Sequence, residues 1–301
     1  MKAVHFSKMH GLGNDFIIIN NINQSLEIET LDIPTLANRY IGIGFDQLLV
    51  IEPSEKADFF CRIYNADGSE AEQCGNGLRC VARFVVENKL HANPHLVVPR
   101  EGAGSRKAGS SQNLLDPAPL RGTTSASFER SLTLETVAGL FSVSVPNYEH
   151  ISISLGIPQI EAGLTTIHPA NQDSVLDMTT LSLGNPHAVI KVDSLSNPMI
   201  DNVGLELTTH THFPHGANIG FMEVINPKHM RLRTFERGSG ETLACGSNAC
   251  AAAVAGILNG WLAHQVEIEF KYGSLLIEWA GEGQAVRMTG PASLVFTGEL
   301  L

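Results

Sequence analysis

Cys74 and Cys245 stand in matching surroundings. EAEQCGNG runs from Glu70 and ETLACGSN from Glu241, each a glutamate, three residues, then Cys-Gly and a small polar residue. Each precedes an apolar run of helical character. A helix N-terminus leaves backbone N–H groups unpaired and carries a positive partial charge, so a thiol there is expected to be drawn toward its thiolate. The glycine that follows lets a carboxylate come close to those N–H groups. Two such sites facing one another would hold a carboxylate with its α-carbon between the sulfurs. One sulfur, as thiolate, would take the α-proton while the other, as thiol, gave a proton to the opposite face. The amides would stabilise the charge building on the carboxylate, so inversion at carbon needs no electron-sink cofactor. Cys61 falls in a strand and Cys80 and Cys250 in helices; all three read as small core residues.

The elements that must carry these thiols repeat as well. A strand over 59–63 runs into the turn Asn65-Ala-Asp-Gly68, and a strand over 230–235 into Glu236-Arg-Gly-Ser-Gly240. After each turn come Cys-Gly and a helix. In the first helix Leu78, Val81, Ala82, Val85 and Val86 share one face, with Arg79, Arg83 and Glu87 off it. The second, over 249–258, is apolar all round, as an enclosed helix would be. The two units lie 171 positions apart (245 − 74), and at that offset Asn65 falls on Glu236, Glu70 on Glu241 and Gly75 on Gly246. This is a duplication on the scale of a domain. Two pseudo-equivalent domains face to face would bring both helix N-termini to a central cleft. Residues 102–130, dense in Gly, Ser, Ala and Pro, read as a long surface loop or insertion, and strand-like alternation resumes at Leu132.

Composition narrows the function classes. The chain has 301 residues, 43% hydrophobic and 17% charged, which is ample material for a large core or two domains. A formal charge of −11 without any basic run argues against nucleic acid as a partner. The N-terminal stretch has no apolar core of signal-peptide length. The longest apolar run, 249–263, is broken by Gly256, Asn259 and Gly260 and is too short to span a bilayer, so no membrane is expected. Five cysteines without a regular framework fit a reducing cytoplasm. His210, His212 and His215 cluster, but their spacing suits neither a helical ligand pair nor a zinc hairpin, and no metal is expected.

Seven motifs in order resemble the diaminopimelate epimerase family along nearly the whole chain. They are MHGLGNDF from Met9, GFDQLL from Gly44, NADGS from Asn65, QCGNGLRC from Gln73, GNPH from Gly184, NIGFM from Asn218 and ERGSGETLACGS from Glu236. The resemblance implies an α+β fold of two pseudo-symmetric domains, each a mixed, mostly antiparallel barrel-like β-sheet around a central helix, with the active site in the cleft between them. It places one domain at 1–146 plus 289–301 and the other at 147–288. It implies a cofactor-independent, pyridoxal-phosphate-free epimerisation of LL-2,6-diaminopimelate to the meso form, in lysine and peptidoglycan precursor synthesis, and a homodimer. Cys74 and Cys245 match the family's acid/base thiols, and His187 and Glu236 the residues that assist proton transfer. Asn14, Gln47, Asn65, Asn76, Asn185, Asn218, Glu236 and Arg237 match its substrate contacts, and the amides of Gly75, Asn76, Gly246 and Ser247 its carboxylate sites. The residue types suit that task. Asparagines read a zwitterion without adding charge, Arg237 offers a planar fork for a distal carboxylate, and Glu236 accepts from an ammonium. Asn218 lies in a strand-like run where asparagine is disfavoured.

Two features depart from the family pattern: Asn248, where a second glycine is usual, and the length of 102–130. Asn248 is expected to be tolerated in the first helical turn. A proline-racemase-like enzyme would share the two-thiol logic but has no use for the asparagine set and Arg237. A thiol redox protein or a pure binding protein would leave those residues, or the paired thiols, without a task.

Overall fold

The computed structural model describes all residues except 1, 2, 23, 25, 91–129, 162, 170–174 and 301. The segment read as an insertion at 102–130 therefore lies outside the described residues, apart from Arg130, which opens a strand.

In the first half, β1 (Val4–Gly11) and β2 (Asn14–Asn20) form a hairpin, and α1 (Ile33–Ala37) carries the chain to β3 (Gln47–Glu52). Then β4 (Phe59–Asn65) and the short β5 (Glu70–Ala71) lead into α2 (Gly75–Glu87), followed by β6 (Arg130–Thr136), β7 (Gly139–Val145) and β8 (Ile151–Ser154). In the second half, β9 (Gln159–Ile160) and β10 (Thr165–Ile167) pair with β11 (Leu176–Ser182). The chain continues through β12 (Pro186–Val192), α3 (Met199–Thr208), β13 (Asn218–Asn226), β14 (His229–Glu236) and β15 (Gly240–Thr242) to α4 (Gly246–Leu258). It ends with β16 (Gln265–Phe270), β17 (Gly273–Glu278), β18 (Arg287–Gly290) and β19 (Ser293–Leu300).

The duplication expected from the Cys-Gly units extends to the strand pairing. From β1 through β2, β3, β4, β6, β7 and β8 the steps are antiparallel, parallel, antiparallel, parallel, antiparallel, antiparallel. From β11 through β12, β13, β14, β16, β17 and β18 they repeat in the same sense and order. An antiparallel pairing of β8 with β18 joins the halves, and β19 returns to pair with β1.

Each half curls around its own long helix. α2 touches β1, β2, β3, β6, β7 and β8, while α4 touches β11, β12, β13, β14, β17 and β18. The alanine-rich α4 is buried along its first three turns, as its all-round apolar character requires. Both helices belong to one continuous core. The outer faces of the sheets carry smaller cores. Ile17, Ile19, Leu48 and Val50 pack under α1, and Ile190, Phe221 and Phe235 under α3. A run such as Ile17-Ile18-Ile19 is therefore buried on both sides, the pattern of a strand covered on each face. Among the described residues no helix is long and apolar enough to cross a membrane.

Candidate active site

Strand ends deliver the polar residues. A two-residue turn at Leu12 (φ 57°) and Gly13 (φ 89°) closes the first hairpin, so that Asn14 is the first residue of β2. Gln47 opens β3 and Asn65 closes β4; the two lie opposite in register, with Gln47 Nε2 donating to Asn65 Oδ1 at 2.9 Å. In the second half Asn185 immediately precedes β12, Asn218 opens β13 and Glu236 closes β14. The matching offset is again 171 (185 − 14, 218 − 47, 236 − 65). All six line one cavity of about 920 Å³, together with Cys74, Gly75, Asn76, Arg237, Cys245, Gly246 and Ser247. Every site residue expected from the sequence borders this space except His187.

Both thiols sit at helix N-caps in extended backbone, Cys74 at φ −150° and Cys245 at φ −122°. The Gly77 N–H donates to Cys74 Sγ at 3.4 Å, and the Cys74 thiol donates to Asn14 Oδ1 at 3.8 Å. Cys245 Sγ lies 3.5 Å from Ser247 Oγ, with the Glu236 carboxylate nearby. Met288 packs against the glycines after both thiols. A Cβ on Gly75 would come within 2.7 Å of Met288 Cε, and one on Gly246 within 2.9 Å of Met288 Sδ.

The expected lowering of the thiol pKa is reversed by burial in the cavity wall. Burial pushes Cys74 up to about 12, against the pull of the Gly77 N–H, and the Glu236 charge adds to the rise. Burial and then Glu236 push Cys245 well above the ordinary thiol value. A helix terminus offers a fraction of a charge over one turn, whereas desolvation acts on the whole thiolate. Both sulfurs therefore stand as thiols until something in the cavity changes their surroundings.

Glu236 is raised by burial too, opposed by the hydrogen bond from Thr242 Oγ1 and by the nearby Cys245 thiol. Asn218 is buried, and its Oδ1 accepts from the Arg237 backbone N–H at 3.0 Å. The Arg237 side chain is exposed and donates to the His215 carbonyl at 2.9 Å; among the described residues it makes no ion pair. His187 is 1% exposed, with Nε2 2.9 Å from Asn185 Oδ1. Burial depresses its pKa to about 3, and the nearby Asn248 opposes this weakly without reaching hydrogen-bond geometry, so Nδ1 has no partner. The ring thus supports Asn185 from within the protein instead of entering the cavity.

Asn248, the departure from the family pattern, is fully buried and donates from Nδ2 to the Ile219 carbonyl at 2.9 Å. Its Oδ1 sits where a Cβ on residue 220 would fall, 2.8 Å away, so Gly220 is what makes room for it. Sequence reasoning missed Asp46 and Thr242, which line the cavity beside Asn14 and Glu236. Asp46 lies inside the GFDQLL motif, and that placement was the available signal. It also placed Arg79 off the buried face of α2, yet Arg79 is fully enclosed. The helical wheel scores only the apolar face, while the second half of the chain covers the other.

Two copies of one α+β unit meet at a thiol-lined polar cavity, and the fold they form is shared with solved structures of several kinds of protein. A phenazine biosynthesis protein of the PhzF family from Bacillus anthracis superposes with a TM-score of 0.68 at 18% identity, over 100% of both chains. A hydroxyproline epimerase from Agrobacterium vitis, with bound trans-4-hydroxy-L-proline, gives 0.66 at 12% identity over 99% of this chain and 92% of that one. At the level of sequence, the model described as Diaminopimelate epimerase matches residues 6–109 and 179–295. Diaminopimelate epimerases from Ectopseudomonas mendocina and Nitrosomonas europaea are 40% and 41% identical, covering 99% and 98% of both partners. The chain belongs to the diaminopimelate epimerase family.

Proposed function

We propose that Cys74 and Cys245 invert the α-carbon of diaminopimelate by removing its proton on one face and supplying another on the opposite face. Membership in the family makes the protein an amino-acid epimerase that interconverts LL-2,6-diaminopimelate and the meso form. One observation carries the mechanism: each cysteine stands at the N-cap position of a helix, and both helices open into the same cavity.

The substrate carboxylate sits at the N–H groups of Gly75, Asn76, Gly246 and Ser247, where two helix termini converge. Negative charge grows on that carboxylate as the α-proton leaves, so these donors favour the transition state over the ground state. The base must first lose its own proton. Cys245 stands beside Glu236, whose raised pKa suits it to take that proton. The Cα–H electron pair stays on carbon, the abstracted proton ends on one sulfur, and the other sulfur gives up its own. The two thiols exchange protonation states with each turnover, and the reverse reaction uses them in opposite roles. Glu236 and the asparagines hold the ammonium groups, and Arg237 grips the distal carboxylate by leaving its His215 contact. His187 assists by fixing Asn185.

The repeated halves support two domains, 1–146 plus 289–301 and 147–288, between which the substrate lies. Among the described residues β19 pairs on one side only, and it exposes Leu294, Val295 and Phe296, which supports a homodimer through that edge. Five free cysteines support a cytoplasmic location.

The test is proton NMR in heavy water with LL-diaminopimelate and no added cofactor. The α-proton signal should disappear as the meso isomer forms, and Cys74→Ala and Cys245→Ala should each slow inversion by several orders of magnitude. Near-normal inversion by either variant, with its fold intact, would exclude the two-thiol mechanism.

A further inference from the structure

Two charged side chains stand outside the proton transfer. Asp46 lines the cavity, yet both its oxygens are engaged. Its Oδ2 accepts from Asn14 Nδ2 at 2.8 Å and from the Asp15 backbone N–H at 3.1 Å; Oδ1 accepts from an Arg39 Nη at 2.7 Å. Arg79 is fully buried and, among the described residues, has no carboxylate partner. Its guanidinium donates to Asn76 Oδ1 at 3.0 Å and to the Pro291 carbonyl at 3.4 Å. Two amides join these ends. Asn76 Nδ2 donates to Asn14 Oδ1 at 3.3 Å, and the Cys74 thiol donates to that same oxygen.

An amide has a donor end and an acceptor end, so a string of two amides can run in either sense. The charged ends choose the sense. A carboxylate only accepts, and every hydrogen bond to Asp46 comes from an N–H, so Asn14 must turn its NH2 there. Arg79 has donors only, so Asn76 must turn its oxygen there. Both constraints agree, and together they leave Asn14 Oδ1 against the Cys74 sulfur. An oxygen at that place accepts from a thiol and repels a thiolate, whereas an NH2 would do the reverse.

We propose that Asp46 and Arg79 are positioning residues that lock the Asn14–Asn76 string in one sense, so that Asn14 Oδ1 keeps Cys74 in its proton-donating thiol form. This rests on the reading of Cys74 as a working thiol, and it gives the two thiols different starting roles. The residue matching Asn14 in the second half is Asn185, whose oxygen meets His187. Cys245 instead faces a carboxylate able to take a proton. The resting enzyme is therefore poised with Cys74 as acid and Cys245 as the thiol that becomes base. The other titratable groups around Cys74 are Glu236 at the end of β14, Arg79 and Cys80 on α2 and Cys61 on β4. Those around Asp46 are Asp15, Arg39 and, across the cavity, Glu236, with Lys8 on Asp15. All of them stay in place in the variants below.

The test is alkylation of the ligand-free enzyme by iodoacetamide at pH 8, with the label resolved at each cysteine by mass spectrometry. Far below its pKa a thiol reacts in proportion to its thiolate fraction, so one unit of pKa is tenfold in rate. Asp46→Ala removes the acceptor, frees Asn14 to turn its NH2 to the sulfur, and should label Cys74 about tenfold faster with Cys245 unchanged. Asp46→Asn removes the same charge but returns an oxygen to the same place, and should stay within about twofold of the parent. Should the alanine variant not fold, Asp46→Ser, too short to reach Asn14, serves in its place. Equal acceleration in Asp46→Asn and Asp46→Ala would mean that charge alone acts. Acceleration at both cysteines together would mean that the cavity has opened, and no acceleration would mean that the string is not locked from Asp46; each overturns the proposal. The label is read on Cys74 itself, so the result stands whether or not that thiol takes part in turnover.

Discussion

Met288 reaches the first residue of both central helices, and a methyl group added at either place measures how tightly that junction is packed. In Gly75→Ala the new Cβ meets the terminal methyl of Met288, at 2.7 Å, and a rotation about the last bond can relieve most of the overlap. In Gly246→Ala it meets Met288 Sδ at 2.9 Å and Asn76 Oδ1 at 3.0 Å. The sulfur lies mid-chain in a fully buried side chain, and the Asn76 oxygen is held by Arg79, so neither yields cheaply. Overpacking of this kind costs about 1–3 kcal/mol. Replacing glycine by alanine returns at most about 1 kcal/mol of helix propensity, less at the first helical position. Gly75→Ala should therefore be within about 1 kcal/mol of the parent, and Gly246→Ala destabilised by about 1–2 kcal/mol. Met288→Ala alone should cost about 2–5 kcal/mol as a core truncation. In the double variant Gly246→Ala/Met288→Ala the overlap with Met288 is gone and only the Asn76 contact remains, so the double should be more stable than the sum of its parts by about 1 kcal/mol. Urea unfolding of the parent, the two singles and the double measures that coupling. Additivity within about 0.5 kcal/mol, or a larger loss in Gly75→Ala than in Gly246→Ala, would refute the packing described for Met288.

Cys61→Ala, Cys80→Ala and Cys250→Ala should cost about 1–3 kcal/mol each in urea unfolding while inversion in heavy water persists; loss of inversion at parent stability would remove that residue from the core. Arg237→Lys keeps the charge but loses the fork, so KM for LL-diaminopimelate should rise about tenfold or more, with little change for an analogue lacking the distal carboxylate. His187 is held neutral, with its pKa depressed by burial from the ordinary value to about 3. Between pH 6.5 and 3 the unfolded chain binds a proton that the folded chain refuses, so its contribution is complete above pH 6.5 and is lost as the pH falls, by up to about 1.4 kcal/mol per unit. His187→Gln should flatten that part of the stability profile, and an unchanged slope would show that the ring is accessible to protons.

The repeat of strand, turn, Cys-Gly and helix was legible in the sequence because each part of it is local. Alternation marks β4 and β14, turn residues close them, and the apolar spacing of α2 and α4 acts over a few residues at a time. The 171-residue offset then pairs Cys74 with Cys245 and Asn65 with Glu236 without any knowledge of space. Motif resemblance added Asn14, Gln47, Asn185 and Asn218, whose common feature, a place at one end of a curled sheet, appears only in the strand register. Other properties belonged to the tertiary structure alone. Arg79 looks solvated on a helical wheel, but Pro291 and Met288, more than 200 positions away, close over it. The helix terminus argues for reactive thiolates, but the cavity walls desolvate both sulfurs and win. His187 and Asp46 differ in the same way. Both lie inside motifs, but only His187 was expected at the site; burial takes it out of the cavity, while the partners of Asp46 turn its carboxylate toward Asn14. Patterning and capping are decided by neighbours in the chain and can be read along it. Desolvation and charge placement are decided by what the opposite half of the molecule sets against a group, and only folding brings that half into place.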